Sequence, residues 1–341
     1  MRVRSFIKRG AEVEVYAFQR FSEKYDEKVG FPIEIIGSFP NELSYLRRIP
    51  LMLRSMGKIA STNADLYYLN GLDIALMFCL RCHGRPYVYE ELDLVHTYLP
   101  NSFVRKALEF VDKRLIERSR MTVLTSEGFA RYHFGDKCPG NVCVVPNKLA
   151  PSVMDFPFVP KSAHENLRVG FVGRIRFNTI FSFADIFCRH FPQHEFHFYG
   201  DFPSEHNRRQ FEPLGRLSNC FFHGPYESPR DLSSIYAEID WVLSAYDTDY
   251  ANVVYAEPNK LYEAIYFETP IIVSKGTFLA ERVEQLGIGL TVDASDEESV
   301  VSLVNSLSEE LIGEKIRRIR AVPKPSVIDQ SDDWVDSIFP A

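Results

Sequence analysis

The sequence contains little of what marks exported, membrane-spanning or nucleic-acid-binding proteins. Its six cysteines follow no disulfide framework, which favours reduced thiols in a bacterial type of cytosol. No stretch approaches the roughly eighteen apolar residues of a membrane span, and residues 1–10 lack the apolar core of a secretory signal. The formal net charge is -7, whereas a general nucleic-acid binder usually has a positive surface. We therefore expect a cytoplasmic protein that binds no nucleic acid.

Two local patterns resemble cofactor sites but have simpler explanations. Residues 79–83, CLRCH, match the short pattern of covalent haem attachment, yet attachment normally needs export. The surrounding segment is typical of an amphipathic helix whose thiols pack inward. His190, His194 and His197 run from a helix end through Pro192 into a strand, so their side chains should point in different directions. We expect no haem, no bound metal and no other cofactor.

Length and pattern together predict two α/β domains. A chain of 341 residues is too long for one typical core and suits two domains of about 150 residues each. In its second half, apolar runs end in glycine or polar residues and alternate with helical segments, which predicts a doubly wound parallel sheet. These runs are residues 169–173, 195–201, 219–226, 240–247 and 271–273.

The segment 257–277, EPNKLYEAIYFETPIIVSKGT, is the most informative in the chain. Pro258 suits the first turn of a helix, in which Lys260 and Glu263 share one face beside free backbone N–H groups. A lysine at the positive end of the helix dipole is unfavourable unless an anion binds there, so the pattern indicates a phosphate site. Arg174 follows a buried strand and places a second cation where α/β sheets bind ligands. The alternative is an exposed helix start with an incidental ion pair.

The order FVGRIR, HFYGD, FFHGPY, DLSSIYAEIDWVLSAY, PNKLYEAIYFETPIIVS and GIGLTVD resembles the carboxyl-terminal half of family 4 GT-B glycosyltransferases. These are retaining enzymes that use nucleotide-sugar donors. The resemblance covers residues 165–310 and, more loosely, the first half. It implies two Rossmann-like doubly wound parallel-sheet domains facing across a cleft. We expect an acceptor-side domain at 1–152, to which 325–341 crosses back, and a nucleotide-sugar-binding domain at 153–324.

The first domain of such enzymes ordinarily starts with an apolar strand and a glycine-rich loop before a helix. Here only Met1 precedes the segment RVRSFIKRG, which reads as that helix. Either the numbered chain lacks its natural start or the domain manages without that strand, and we expect a first domain that lacks its usual first strand.

The resemblance also implies a donor site drawn from two segments of the second half. Arg174 and Lys260 would bind the diphosphate and Glu263 the ribose, with Lys260 as second cation in a Pro-x-Lys-x-x-Glu pattern. The donor-binding residues implied in this way are Gly173, Arg174, Gly224, Asn259, Lys260 and Glu263. Arg174, Lys260 and Glu257 are the residues we assign to catalysis.

The sugar and acceptor side is implied less specifically. Many family members have a glutamate eight residues before the ribose-binding one, where this chain has Tyr255. Glu257, Asn259 or Tyr255 is therefore expected to meet the transferred sugar. In the first half, the resemblance implies that the region of Glu91, Asp93 and His96 contacts the acceptor or the transferred sugar. The alternative is that the ELD segment, residues 91–93, caps a strand or the next helix.

Asp247-Thr248-Asp249 resembles the metal-binding DxD of a different glycosyltransferase architecture, since paired carboxylates bind Mg²⁺ or Mn²⁺. The GT-B resemblance implies positive side chains in place of a metal. We therefore expect metal-independent, retaining transfer from a UDP- or GDP-linked sugar to a glycan or lipid-linked acceptor, in bacterial surface polysaccharide synthesis. The alternatives are a nucleotide-sugar epimerase of the same fold and a non-catalytic nucleotide-sugar binding module.

One basic and apolar segment, residues 43–60, suits an anionic membrane surface. Its basic residues are Arg47, Arg48, Arg54 and Lys58. A second basic helix, 104–120, would add to it. Core packing explains the apolar residues equally well, and Pro50 is expected to break or kink the helix. Peripheral contact with the inner face of the membrane is the expectation if the acceptor is carried on a lipid.

Overall fold

The computed structural model describes residues 2–20, 30–40, 43, 45–329 and 333–338. The chain divides into two compact units. Unit 1 comprises Met1–Thr125, His133–Val145 and Ser331–Ala341, and unit 2 comprises Ser126–Tyr132 and Pro146–Gln330. The division into independently folding domains at residues 152 and 153 stays a prediction.

Strands and helices alternate along the described chain. The strands are β1 (Val15–Arg20), β2 (Ile33–Phe39), β3 (Tyr67–Asn70), β4 (Tyr87–Glu91), β5 (Met121–Leu124), β6 (Val142–Val144), β7 (Arg168–Val172), β8 (Glu195–Tyr199), β9 (Cys220–Gly224), β10 (Trp241–Ser244), β11 (Ile271–Ser274) and β12 (Gly289–Val292). The α-helices are α1 (Arg2–Lys8), α2 (Tyr45–Ser61), α3 (Leu72–Arg81), α4 (Ser102–Arg118), α5 (Glu127–Phe134), α6 (Asn178–His190), α7 (Glu205–Phe211), α8 (Leu232–Ala237), α9 (Ala251–Tyr255), α10 (Lys260–Tyr266), α11 (Phe278–Leu286), α12 (Glu297–Ser306), α13 (Glu309–Arg320) and α14 (Asp333–Asp336).

Unit 2 is built on a parallel six-stranded sheet in the order β12-β11-β10-β7-β8-β9. Numbered from β7, this is the order of a Rossmann sheet, and the strand order reverses between β7 and β10. Two separate apolar clusters cover the sheet. One includes residues of α6 and α12, and the other residues of α8, α10 and α11. Burial on both faces explains the unbroken apolar runs in the sequence, and the predicted doubly wound parallel sheet is confirmed.

Unit 1 contains a parallel four-stranded sheet, β3-β4-β5-β6, and a separate parallel pair, β1-β2. On one side, the apolar residues of α2 and α3 pack in the core with those of β3 and β4. On the other, Phe6 of α1 packs edge-on against Trp334 of α14, with ring centroids 5.6 Å apart. Trp334 also contacts Tyr68 of β3. The chain's last described helix is thus part of the unit that contains its first.

Candidate active site

Three neighbouring strands of unit 2, β7, β8 and β9, run into glycines at their carboxyl ends. The Gly173 N–H donates to the carbonyl of Tyr199 (2.8 Å), and the Gly200 N–H donates to the carbonyl of Gly224 (2.8 Å). At Gly200, where φ is +145°, a Cβ would lie 1.8 Å from the Gly173 carbonyl oxygen. Only glycine therefore fits at position 200. The two turns lie against each other at the sheet edge where Rossmann folds bind ligands.

A cavity of about 250 Å³ lies at this edge. Its lining residues are Gly173, Arg174, Gly200, Asp201, Pro225, Tyr226 and Ser228. Arg174 follows β7 directly, and its Nε lies 3.8 Å from an Asp201 carboxylate oxygen. Both side chains are more than half exposed, so this ion pair contributes little to stability. Arg174 remains accessible to a ligand in the cavity.

Lys260 lies at the start of α10 and is buried together with Glu263, one turn along the helix. The Lys260 ammonium donates to Oε2 of Glu263 (2.8 Å), and the Tyr236 hydroxyl donates to the same oxygen (2.7 Å). A Cβ on Gly173 would lie 3.6 Å from Cε of Lys260. The lysine stem therefore runs beside the Gly173-Arg174 turn. The structure brings together both cations that the sequence assigns to a diphosphate.

Glu257 is also buried, and neighbouring side chains hold it in place. The Tyr262 hydroxyl donates to its carboxylate, and Nε of Arg282 lies 3.3 Å from its other oxygen. Burial raises the pKa of this carboxyl, while Tyr262 and Arg282 oppose the rise. Glu257 thus has an internal role in unit 2, and its predicted role in catalysis stays a prediction.

The remaining predicted donor residues differ in their surroundings. Asn259 is exposed and precedes α10 without a side-chain capping bond. Gly224 has a positive φ of 78° with open space around it. Tyr255 is half-buried at the end of α9, and its carbonyl accepts a hydrogen bond from the Ser126 hydroxyl (2.7 Å) of the same unit. Their contacts with a nucleotide sugar stay predictions.

In the DxD segment, residues 247–249, the carboxylate of Asp247 is hydrogen-bonded within the fold. Asp247 accepts from the backbone N–H groups of Asn178 (3.2 Å) and Thr179 (2.8 Å), and also from the Thr179 hydroxyl. It therefore caps the start of α6, the helix that follows β7. Asp249 is exposed. In the described part of the chain, neither aspartate belongs to a group of side chains that could hold a metal.

The predicted acceptor residues lie in unit 1 and differ in exposure. Asp93 is exposed, whereas Glu91 is only 1% exposed. Oε2 of Glu91 lies 2.8 Å from Nε2 of His133, and burial raises the pKa of Glu91 to about 8. Asp112 of α4 is buried beside it. Neither Asp112 nor His133 stands out in the sequence; the one signal is that Asp112 lies three residues before Leu115, on the apolar face of a basic helix.

Three relatives show what the chain is similar to. No known family model matches it. The succinoglycan biosynthesis protein ExoL of Rhizobium meliloti is 24% identical over 267 residues, which are 72% of this chain and 64% of ExoL. The chain thus spans less than two thirds of the length of that relative.

The two other relatives are solved structures. HepE of Anabaena, solved with UDP and glucose, superposes with a TM-score of 0.65 at 16% identity, over 87% of this chain and 82% of HepE. Sucrose-phosphate synthase from Thermosynechococcus elongatus gives a TM-score of 0.69 at 17% identity, over 94% of this chain and 87% of the synthase. At these identities the likeness establishes the architecture. The chain therefore has the GT-B fold, with two Rossmann-like domains built on parallel sheets.

Proposed function

We propose that this protein is a glycosyltransferase that moves a sugar from a nucleoside diphosphate sugar to a glycan or lipid-linked acceptor. The observation that carries the proposal is that Arg174 lines the cavity beside β7, while the buried Lys260 lies against Gly173, which lines the same cavity. Two relatives support it: HepE was solved with UDP and glucose, and ExoL is a succinoglycan biosynthesis protein. The donor is UDP- or GDP-linked, and the pathway is bacterial surface polysaccharide synthesis.

Each residue of the donor site has a distinct role in this proposal. Arg174 and Lys260 bind the diphosphate through charge-assisted hydrogen bonds. Both side-chain hydrogen bonds to Glu263 end on Oε2, which leaves Oε1 for a ribose hydroxyl. Gly173 and Gly224 let the backbone approach the nucleotide closely. We assign Asn259, Tyr255 and Glu257 to the transferred sugar, and Tyr262 and Arg282 orient Glu257.

The chemistry we propose is retaining and needs no metal on the diphosphate. The bond between the anomeric carbon and the phosphate oxygen breaks while the acceptor oxygen bonds to the same face of that carbon. The acceptor proton passes to the leaving phosphate, so no side-chain base is required. Arg174 and Lys260 stabilise the charge that develops on the leaving group. Asp247 supports the metal-independent mechanism. Its carboxylate accepts hydrogen bonds from the start of α6, which leaves the DxD segment without its first metal ligand.

Membrane contact is the less specific part of the proposal. In α2, within the segment 43–60, Met52, Met56 and Ile59 are buried in the core of unit 1, while Leu51 is exposed. In α4, by contrast, Phe103 is 81% and Phe110 60% exposed. A lipid-linked acceptor would be met by peripheral contact through these two basic helices. No helix in the described ranges is long and apolar enough to cross a membrane.

Product analysis tests the proposed reaction against its two alternatives. The protein is incubated with UDP- and GDP-sugars, with and without a panel of glycan and lipid-linked acceptors. A transferase releases nucleoside diphosphate and forms a glycoside whose anomeric configuration, read by NMR, matches that of the donor. An epimerase would change the sugar without an acceptor. Binding of a nucleotide sugar with no product in any reaction would indicate a binding module, and an inverted product would exclude the retaining mechanism.

A further inference from the structure

Unit 1 contains a buried group of side chains that the proposed donor site does not use. Glu91 ends β4, Asp112 lies on α4 and His133 on α5. Each offers one potential ligand atom, and these three atoms lie within 4.8 Å of one another. All three residues belong to unit 1. From this arrangement we propose that Glu91, Asp112 and His133 form a structural site for one divalent metal ion, zinc or manganese.

Two buried carboxylate oxygens in this group indicate that a positively charged partner, such as a metal ion, binds between them. Oε1 of Glu91 and Oδ2 of Asp112 are inaccessible to solvent and accept no hydrogen bond from a donor group, although a proton shared between the two carboxyl groups would bond one to the other. The other oxygens are engaged: Oε2 of Glu91 lies 2.8 Å from His133, and Oδ1 of Asp112 accepts from the Tyr89 hydroxyl (2.8 Å). Among the residues with described side chains, no lysine or arginine pairs with either carboxylate. A buried carboxylate is costly unless it is paired, hydrogen-bonded or bound to a metal.

The distances suit a first-row metal. Zinc binds imidazole nitrogen and carboxylate oxygen at about 2.0 to 2.2 Å, so ligand atoms around one ion lie roughly 3.0 to 3.5 Å apart. The range in this group, from 2.8 Å between Glu91 and His133 up to 4.8 Å, brackets that spacing. The imidazole ligand favours zinc over magnesium or calcium, and the two carboxylates also suit manganese. His96 lies outside the group of three, and its Nδ1 lies 3.6 Å from Oδ2 of Asp112; a shift of its ring toward the group would make it a fourth ligand.

Burial assigns the ion a structural role. The side chains of His133 and Asp112 are 0% exposed and that of Glu91 is 1% exposed, which leaves no coordination position open to substrate, as in closed structural sites. The ion would tie together one strand and two helices that are distant in sequence. Its binding energy would add to the stability of unit 1. This inference does not depend on the proposed glycosyltransferase activity.

The competing explanation is a proton shared between the two carboxyl groups, with no metal. Asp112→Asn and Glu91→Gln separate the two cases. Each removes a negative ligand but keeps an oxygen acceptor, so in Asp112→Asn the bond from Tyr89 can persist. Asp249→Asn is the matched control, because it removes an exposed carboxylate. Tag-free proteins are analysed for metal by mass spectrometry, and their melting temperatures are measured with a chelator, then with added zinc or manganese.

The proposal expects about one zinc or manganese ion per chain in the wild type and the control. The chelator should lower their melting temperature and the added ion should restore it. Asp112→Asn and Glu91→Gln should retain less than about a tenth of the metal and respond to neither treatment. The proposal is overturned if the wild type holds no metal and zinc and manganese leave its melting temperature unchanged. It is overturned equally if both variants retain the metal. If the variants fail to fold, the metal content and chelator response of the wild type decide alone.

Discussion

At the scale of single residues, the fold holds the carboxylate of Glu263, the residue that we propose binds the ribose. Oε2 is held by Lys260 and Tyr236, so the side chain is fixed before any nucleotide arrives. We predict that UDP binds about tenfold or more tightly than 2′-deoxy-UDP, because a hydrogen bond to a charged group contributes roughly 1.5 to 3 kcal/mol. Glu263→Gln should narrow this preference to a few-fold. Calorimetric titration measures it, with the exposed Glu284→Gln as control. An unchanged preference in Glu263→Gln would remove the ribose assignment.

A second residue prediction concerns acid stability. Burial is the main cause that lowers the pKa of His197 to about 4; Glu195 opposes this effect, and His223 and Arg168 reinforce it. The unfolded chain, with an ordinary histidine pKa near 6.5, therefore binds more protons between about pH 6.5 and 4. The free energy of unfolding should fall as pH drops through that window, by up to about 3 kcal/mol from this group.

Urea titrations from pH 7 to 4.5 test the acid-stability prediction. His197→Gln should show a flatter pH dependence than the wild type, whatever its absolute stability. The control is His190→Gln, since His190 is exposed and pairs with Glu297. If His197→Gln loses stability toward pH 4.5 as steeply as the wild type, the depressed pKa is refuted.

At the scale of elements, the capping of α6 by Asp247 carries a stability prediction. Asp247→Ala leaves two N–H groups at the start of α6 without their acceptor. It should lower the free energy of unfolding by about 0.5 to 2 kcal/mol. Asp249→Asn should change it by less than about 0.5 kcal/mol, as is usual for an exposed position. Urea unfolding measures both, and equal effects of the two changes would contradict the capping role.

The DxD segment, residues 247–249, also allows a test of whether side chains or a metal ion neutralise the diphosphate. If Arg174 and Lys260 carry that role, adding Mg²⁺ or Mn²⁺ should change UDP affinity less than about twofold, because a metal would otherwise supply much of the charge stabilisation. Asp249→Asn should bind UDP like the wild type. A strong dependence on Mn²⁺ that Asp249→Asn abolishes would favour the DxD explanation.

Elements whose signal is local could be predicted from the sequence, whereas contacts between distant segments could not. The apolar runs placed β7 to β11 because both faces of a parallel sheet are buried. The expected break at Pro50 is wrong, because Pro50 lies inside α2, which continues from Tyr45 to Ser61; the expected kink stays a prediction. The buried group in unit 1 draws on three separate elements, so no local pattern could predict that Glu91, Asp112 and His133 lie together. The cap on α6 likewise joins residues about seventy positions apart.

At the scale of the whole molecule, the proposed donor site lies at one edge of the parallel sheet of unit 2. The order of motifs from 165 to 310 indicated the GT-B fold, and the solved relatives confirm it. In the candidate site, the sequence predicted both cations because each directly follows or begins an element with a strong pattern of its own. It could not predict that Lys260 is buried against Gly173 and bonded to Glu263, since those contacts depend on how α10 packs on the sheet.

Calorimetric titration of UDP and GDP into the wild type, Arg174→Ala and Lys260→Met tests whether these two cations bind the diphosphate. The exposed Arg209→Ala of the same unit is the control, and melting temperatures establish that each variant is folded. The account predicts that the wild type binds at least one of the two nucleotides. It predicts that the control matches the wild type, and that Arg174→Ala and Lys260→Met each lose about 1.5 to 3 kcal/mol of binding free energy, the range for hydrogen bonds to charged groups. Wild-type affinity in both folded variants, or no binding of either nucleotide to the wild type, would contradict it.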